Sequence, residues 1–176
     1  QAVAVTAGSI RFQGRELLTL AEPQRRALRG RQISMIMQNP MTALNPVLRI
    51  GHQLCDVLRL HLGMRGADAR RRAVALLESV HLRDPERVFH QYPHELSGGM
   101  CQRVVIAIAF ACEPALVIAD EPTTALDVTV QRRILQLVKE MQARTGTALL
   151  FVTHDLGVVA KTCDQVSVIY AGRILE

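Results

Sequence analysis

Three short apolar runs, Ile33 to Gln38, Leu116 to Ala119 and Ala148 to Thr153, each give way to a polar residue, and segments of helical periodicity separate them. Continuous apolar runs of this length, without strict alternation, mark strands buried in a parallel sheet. Parallel neighbours cannot be joined by a tight turn and need a crossover, which the helical segments supply. The reading is an α/β fold with a mostly parallel sheet. Ligands of such sheets gather beyond the carboxyl ends of the strands, and there stand Gln38, Asp120, Glu121 and His154.

Around this centre, polar and apolar residues alternate from Gly8 to Leu18 about Gly14, which predicts an antiparallel strand pair. A second hairpin is expected from Val166 to Ile174, turning at Ala171-Gly172. Two amphipathic helical patterns between Val47 and Val80, parted by the Gly63–Gly66 loop, predict a small helical lobe. Another helix runs from Ser97 to about Cys112, where Pro114 breaks the pattern, and a further one from Val128 to Arg144, stopped by Gly146. The 176 residues, 49% of them hydrophobic, suffice for the core of one domain. No window approaches the roughly 18 consecutive apolar residues of a membrane span. Cys55, Cys101, Cys112 and Cys163 show no C-x-x-C spacing and read as reduced, partly buried thiols.

The net charge is +5, carried almost wholly by arginine, since Lys139 and Lys161 are the only lysines. Basic character alone would suit a nucleic-acid partner. The densest run, Arg70-Arg71-Arg72, lies however in GADARRRAVALLESV, where Ala73, Leu76, Leu77 and Val80 form an apolar stripe at helical spacing. The arginines then occupy the solvated face of a core helix, and no nucleic-acid partner is expected.

Two motifs carry chemistry. In LVIADEP, Leu116 to Pro122, four apolar residues deliver adjacent carboxylates to a strand end, where they are costly unless a cation or a reaction uses them. Phosphoryl transfer uses such a pair: Asp120 for a hydrated Mg²⁺ and Glu121 to polarise the attacking water. In LSGGMCQR, Leu96 to Arg103, Ser97 caps an apolar helix, and Gly98 and Gly99 leave its first N–H groups open to phosphate oxygens.

With these residues the chain resembles the ATP-binding-cassette (ABC) ATPases. Gln38 is similar to the Q-loop glutamine of that family, Leu96 to Arg103 to its signature, and Leu116 to Glu121 to its Walker B strand. Thr124-Ala125-Leu126-Asp127 resembles the D-loop, and His154 in VTHD the switch histidine. The phrases QNPMTALNP, YPHELSGGM, ADEPTTALDVTVQ and THDLGVVA are closer still to the oligopeptide, dipeptide and nickel importers. The resemblance implies a P-loop NTPase-type ABC ATPase domain with a helical subdomain. Residues 1–38 would end the β-subdomain, about 41–95 form the helical subdomain, and 96–176 carry the signature helix, Walker B, D-loop and switch histidine. It implies ATP and Mg²⁺ as cofactors, with Glu121, His154 and Gln38 catalytic and Asp120 with Gln38 at the metal. Ser97, Gly98, Gly99, Gln102 and Asp127 would meet nucleotide across a head-to-tail pair. The implied partners are a second ABC ATPase subunit, transmembrane permeases and, indirectly, a substrate-binding protein, at the cytoplasmic face of the membrane. The alternatives are a soluble ABC ATPase acting on ribosome or nucleic acid, and a non-catalytic ABC-like module.

One departure bears on activity. No G-x-x-x-x-G-K-[ST] occurs, so the phosphate-binding P-loop is lacking. The chain enters the family pattern partway and is expected to be an N-terminally truncated piece, inactive by itself, that also stops before a C-terminal extension. His90 and His94 lie four apart, but Pro93 interrupts any helix that would align them, and no metal site is expected there.

Overall fold

A computed structural model describes residues 5–123 and 127–175. Strands β1 (Arg11–Phe12) and β2 (Arg15–Glu16) pair antiparallel. Their two-residue turn has Gln13 at φ 49° and Gly14 at φ 77°, the doubly positive geometry that matches strand twist. Helix α1 (Glu22–Leu28) follows, then β3 (Ile33–Ile36), α2 (Pro40–Ala43), α3 (Ile50–Leu62), α4 (Gly66–Ser79) and α5 (Pro85–His90). A 3-10 turn at Pro93–Glu95 leads into α6 (Gly98–Phe110), followed by β4 (Leu116–Asp120), α7 (Val128–Thr145), β5 (Ala148–Val152) and α8 (Leu156–Thr162). Strands β6 (Ile169–Tyr170) and β7 (Arg173–Ile174) close the hairpin expected at Ala171-Gly172.

The central sheet is parallel throughout, in the order β3–β4–β5, with Ile36 opposite Ala119 and Asp120 opposite Val152. Strand β3 is shorter than its apolar run: Met37 and Gln38 leave the ladder. Asn39 caps α2 by accepting from the Met41 N–H over 2.9 Å, and Pro40 begins that helix.

Helix α6 sits at the centre of packing. It is apolar on nearly every side, which an α-helix can be only when surrounded, and Val104, Ile106, Ala107 and Phe110 are all buried. One continuous core joins them to Leu54 and Leu58 of α3, Leu77 of α4, Ile134 and Leu137 of α7, and Ile36, Val117 and Ala119 of the sheet. Each large side chain there contributes about 1.5–3 kcal/mol of hydrophobic stabilisation. Helices α3 and α7 stop at Gly63 (φ 69°) and Gly146 (φ 67°), whose left-handed backbone turns an N–H back onto Arg59 and Gln142 carbonyls.

The expected two-sided burial of the strands is corrected. Side chains alternate across a strand, and the sheet face opposite the core leaves Met35 46%, Leu150 52% and Val152 49% exposed. The arginine run behaves as its helical setting requires: Arg70 pairs with Glu86 and Arg72 with Glu113, both at 2.7 Å, and Arg71 pairs with Asp68. Among the described residues no helix is long and apolar enough to cross a membrane.

Candidate functional site

The parallel register brings three sequence-distant residues together. Gln38 stands two residues past β3, Glu121 one past β4 and His154 two past β5, all at the same edge of the sheet. The Gln38 Nε2 donates to Glu121 Oε2 over 2.9 Å, and His154 Nδ1 lies 2.8 Å from Glu121 Oε1. Both carboxylate oxygens are thus engaged by flanking side chains. Asp120, the last residue of β4, is half-buried, and its carboxylate has no hydrogen-bond or ion-pair partner among the described residues.

The backbone at Glu121 is unusual. Its φ is 43°, a left-handed conformation that costs a non-glycine residue on the order of 1–3 kcal/mol and persists only when the surroundings over-determine it. The Glu121 N–H donates to Val152 O over 2.9 Å, and the Pro122 carbonyl accepts from Gln102 Nε2 over 2.8 Å. The reversal of the chain after Asp120 swings the Glu121 side chain toward Gln38 and His154.

The remaining predicted residues lie on helix starts. Ser97 caps α6, its Oγ accepting from the Met100 N–H over 3.3 Å. Ser97 and Gly98 are exposed. A Cβ on Gly98 would meet no described residue within 4 Å, whereas one on Gly99 would lie 3.2 Å from Val130 Cγ1 of α7. Among the described residues Gly99 thus has a tight neighbour at its Cβ position and Gly98 has none. Asp127 caps α7, accepting from the Thr129 and Val130 N–H groups at 3.0 Å. The other residues of the predicted D-loop, Thr124 to Leu126, lie outside the described residues. Gln102 is 1% exposed and joins α6 to the Glu121 turn instead of opening onto the surface.

Two positioning residues, Asp155 and Gln131, escaped the sequence reading. Asp155 caps α8 through the Gly157 and Val158 N–H groups, and its Oδ2 accepts from Gln131 Nε2 of α7 over 3.3 Å, which fixes the loop carrying His154. The signal was an aspartate directly before a helical run. His90 and His94 turn to different neighbours, Arg70 and Tyr92. No group of three metal-ligating side chains occurs among the described residues. A magnesium ion needs none, because it keeps several waters and takes one or two carboxylates with substrate phosphates. The oxygen donors of Asp120 and Gln38 fit that chemistry.

The ABC transporter family model matches residues 1–124. The oligopeptide transport ATP-binding protein OppD of Salmonella typhimurium is 54% identical over 169 residues, which are 96% of this chain and 50% of that protein. The dipeptide transport ATP-binding protein DppD of Bacillus subtilis is 51% identical over 172 residues, 98% of this chain and 51% of its own length. Among solved structures, the dimeric post-hydrolysis state of the ATP-binding cassette MJ0796 bound to ADP and Pi superposes with a TM-score of 0.75 at 31% identity. That match covers 87% of this chain and 65% of the cassette. The chain spans about half the length of the curated relatives it matches. A family model covering residues 1–124 of 176 embraces most of the chain, and the chain belongs to the ABC transporter family.

Proposed function

We propose that this chain supplies the hydrolytic and signature portions of an ATP-hydrolysing subunit that drives an ABC importer of oligopeptides or dipeptides. The observation that carries the reading is the convergence of Gln38 and His154 on the Glu121 carboxylate, one residue beyond Asp120. Glu121 acts as the group that accepts a proton from the attacking water. In the arrangement described, both its oxygens already have partners, so hydrolysis requires Gln38 or His154 to turn from Glu121 toward water or a phosphate oxygen. Asp120, with Gln38, would hold Mg²⁺, which when bound neutralises phosphate charge.

Ser97, Gly98 and Gly99 would present the positive end of α6 to a nucleotide held by a second ATPase subunit. The open space at Gly98 supports this, because no described residue requires a glycine there. The helical portion, about residues 41–95, would receive a permease at the cytoplasmic face of the membrane, between residues 1–38 and 96–176. Peptide substrates are favoured by the names of the relatives, and the carboxylate-paired arginines of α4 speak against a nucleic-acid role.

Phosphate release from ATP tests the reading. The 176-residue chain, which has no G-x-x-x-x-G-K-[ST], should give none above background. Joined behind the P-loop portion of a relative such as OppD and assembled with permeases, it should turn over on the order of 1 per second or faster. A completed protein that binds no ATP and hydrolyses none overturns the proposal.

A further inference from the structure

Gln102 lies near the start of α6 and is 1% exposed, a depth at which a primary amide is costly unless hydrogen-bonded. Its Nε2 donates to the Pro122 carbonyl over 2.8 Å, while its Oε1 is buried with no partner among the described residues. An orphaned amide oxygen is destabilising, and an apolar side chain of the same volume would avoid that cost. Packing alone therefore does not account for an amide here. The one bond it makes is the remaining physical reason for it.

That bond lands on the residue after Glu121. The left-handed backbone at Glu121, φ 43°, relaxes unless it is held from both sides. From the sheet it is held by the Glu121 N–H on Val152 O. Pro122 has no N–H, so its carbonyl is the hydrogen-bonding main-chain group by which that residue can be fixed, and Gln102 takes it.

We infer that Gln102 is a positioning residue that clamps the strained Glu121–Pro122 turn to α6, so that the aim of the Glu121 carboxylate depends on where α6 stands. The same helix begins at Ser97 and Gly98. A ligand that shifts the start of α6 thereby moves the turn that orients Glu121 relative to Gln38 and His154. The consequence for hydrolysis rests on the proposed function; the clamp itself does not.

Amide hydrogen exchange on the 176-residue chain tests the clamp, with Gln102→Met and Gln102→Glu. Gln102→Met keeps the volume and removes the donor. The Glu121 N–H should then exchange about tenfold faster, while the Ile106 and Ala107 amides of the same helix stay protected. Gln102→Glu distinguishes a hydrogen bond from mere packing. Its buried carboxyl titrates above the usual range; protonated, it donates an O–H to the Pro122 carbonyl, and ionised, it repels it. Protection at Glu121 relative to the parent chain should therefore be restored at about pH 5 and lost as the pH rises. Equal protection in all three proteins, or a loss in Gln102→Met that Gln102→Glu does not recover in acid, overturns the clamp.

In the P-loop-completed protein, Gln102→Met should lower kcat about tenfold with the KM for ATP unchanged. Faster exchange with unchanged kcat would overturn the positioning role. Absence of hydrolysis in the completed parent would count against the proposed function instead, and the exchange data would still decide the clamp.

Discussion

Glu121 and His154 meet across the ends of β4 and β5, with Nδ1 of the imidazole 2.8 Å from Oε1 of the carboxylate. The pair is asymmetric: the histidine side chain is 75% exposed and the glutamate 26%. A contact with so open a partner adds little to folding, so its geometry matters chiefly for chemistry.

Replacing Glu121 by Gln separates chemistry from binding. The amide oxygen can still accept from Gln38, but the charge proposed to draw a proton from water is gone. In the P-loop-completed protein, hydrolysis should fall by about two orders of magnitude or more while ATP binding survives, and the protein should accumulate as an ATP-bound dimer. Asp120→Asn should instead weaken magnesium retention and lower both dimerisation and turnover. Size-exclusion chromatography with Mg-ATP beside phosphate release compares the two, and parental turnover in Glu121→Gln would remove Glu121 from the role.

Most of the fold could be read because its signals are local. The runs of β3, β4 and β5, the stripe of α4 and the stops at Gly63 and Gly146 all lie within a few residues of what they specify. Helix α1 could not be read, since seven residues with Pro23 inside give too short a periodicity. Nor could the one-sided cover of the sheet, because an apolar run such as Ala148 to Val152 looks the same whether one face or both are packed. At the site, strand ends were legible, whereas the contacts among Gln38, Glu121 and His154 arise from register between distant strands. The left-handed turn at Glu121 had no glycine to announce it.

Gly51 in α3 offers a stability test with two opposed effects. Alanine is the better helix former by about 1 kcal/mol. A Cβ there would however lie 2.5 Å from three ring atoms of Phe89, and that ring is 8% exposed with the Arg70 guanidinium 5.1 Å from its centroid. Overpacking a ring that cannot retreat costs about 1–3 kcal/mol. Gly51→Ala should therefore destabilise the chain in urea unfolding, and Phe89→Leu should recover part of the loss as a favourable coupling. A gain in stability from Gly51→Ala alone would show that the ring yields.

His61 predicts an acid-side effect. Burial first, then the nearby Arg31 charge, holds its pKa below the ordinary value of 6.5. Above that value both folded and unfolded chains carry a neutral ring, and the group contributes nothing. As the pH falls through it the unfolded chain binds the proton first, so stability is lost until the folded ring also titrates. Urea midpoints should thus decline less for His61→Gln than for the parent between about pH 7.5 and 5.5. Parallel declines would exclude the effect.

Gly98 gives the sharpest separation of folding from function. A Cβ at this first residue of α6 meets no described residue within 4 Å, so Gly98→Ala should leave stability unchanged or raise it by up to about 1 kcal/mol. The same methyl would project into the space through which the opening N–H groups of α6 are proposed to approach a phosphate. In the completed protein, ATP-driven dimerisation and turnover should therefore drop at least about tenfold while the unfolding midpoint holds. Gly99→Ala is the less clean comparison, because its Cβ would lie 3.2 Å from Val130 Cγ1, which must give by a few tenths of an ångström, so a loss of activity there mixes packing with function. If Gly98→Ala keeps full turnover, the start of α6 is not where nucleotide is met.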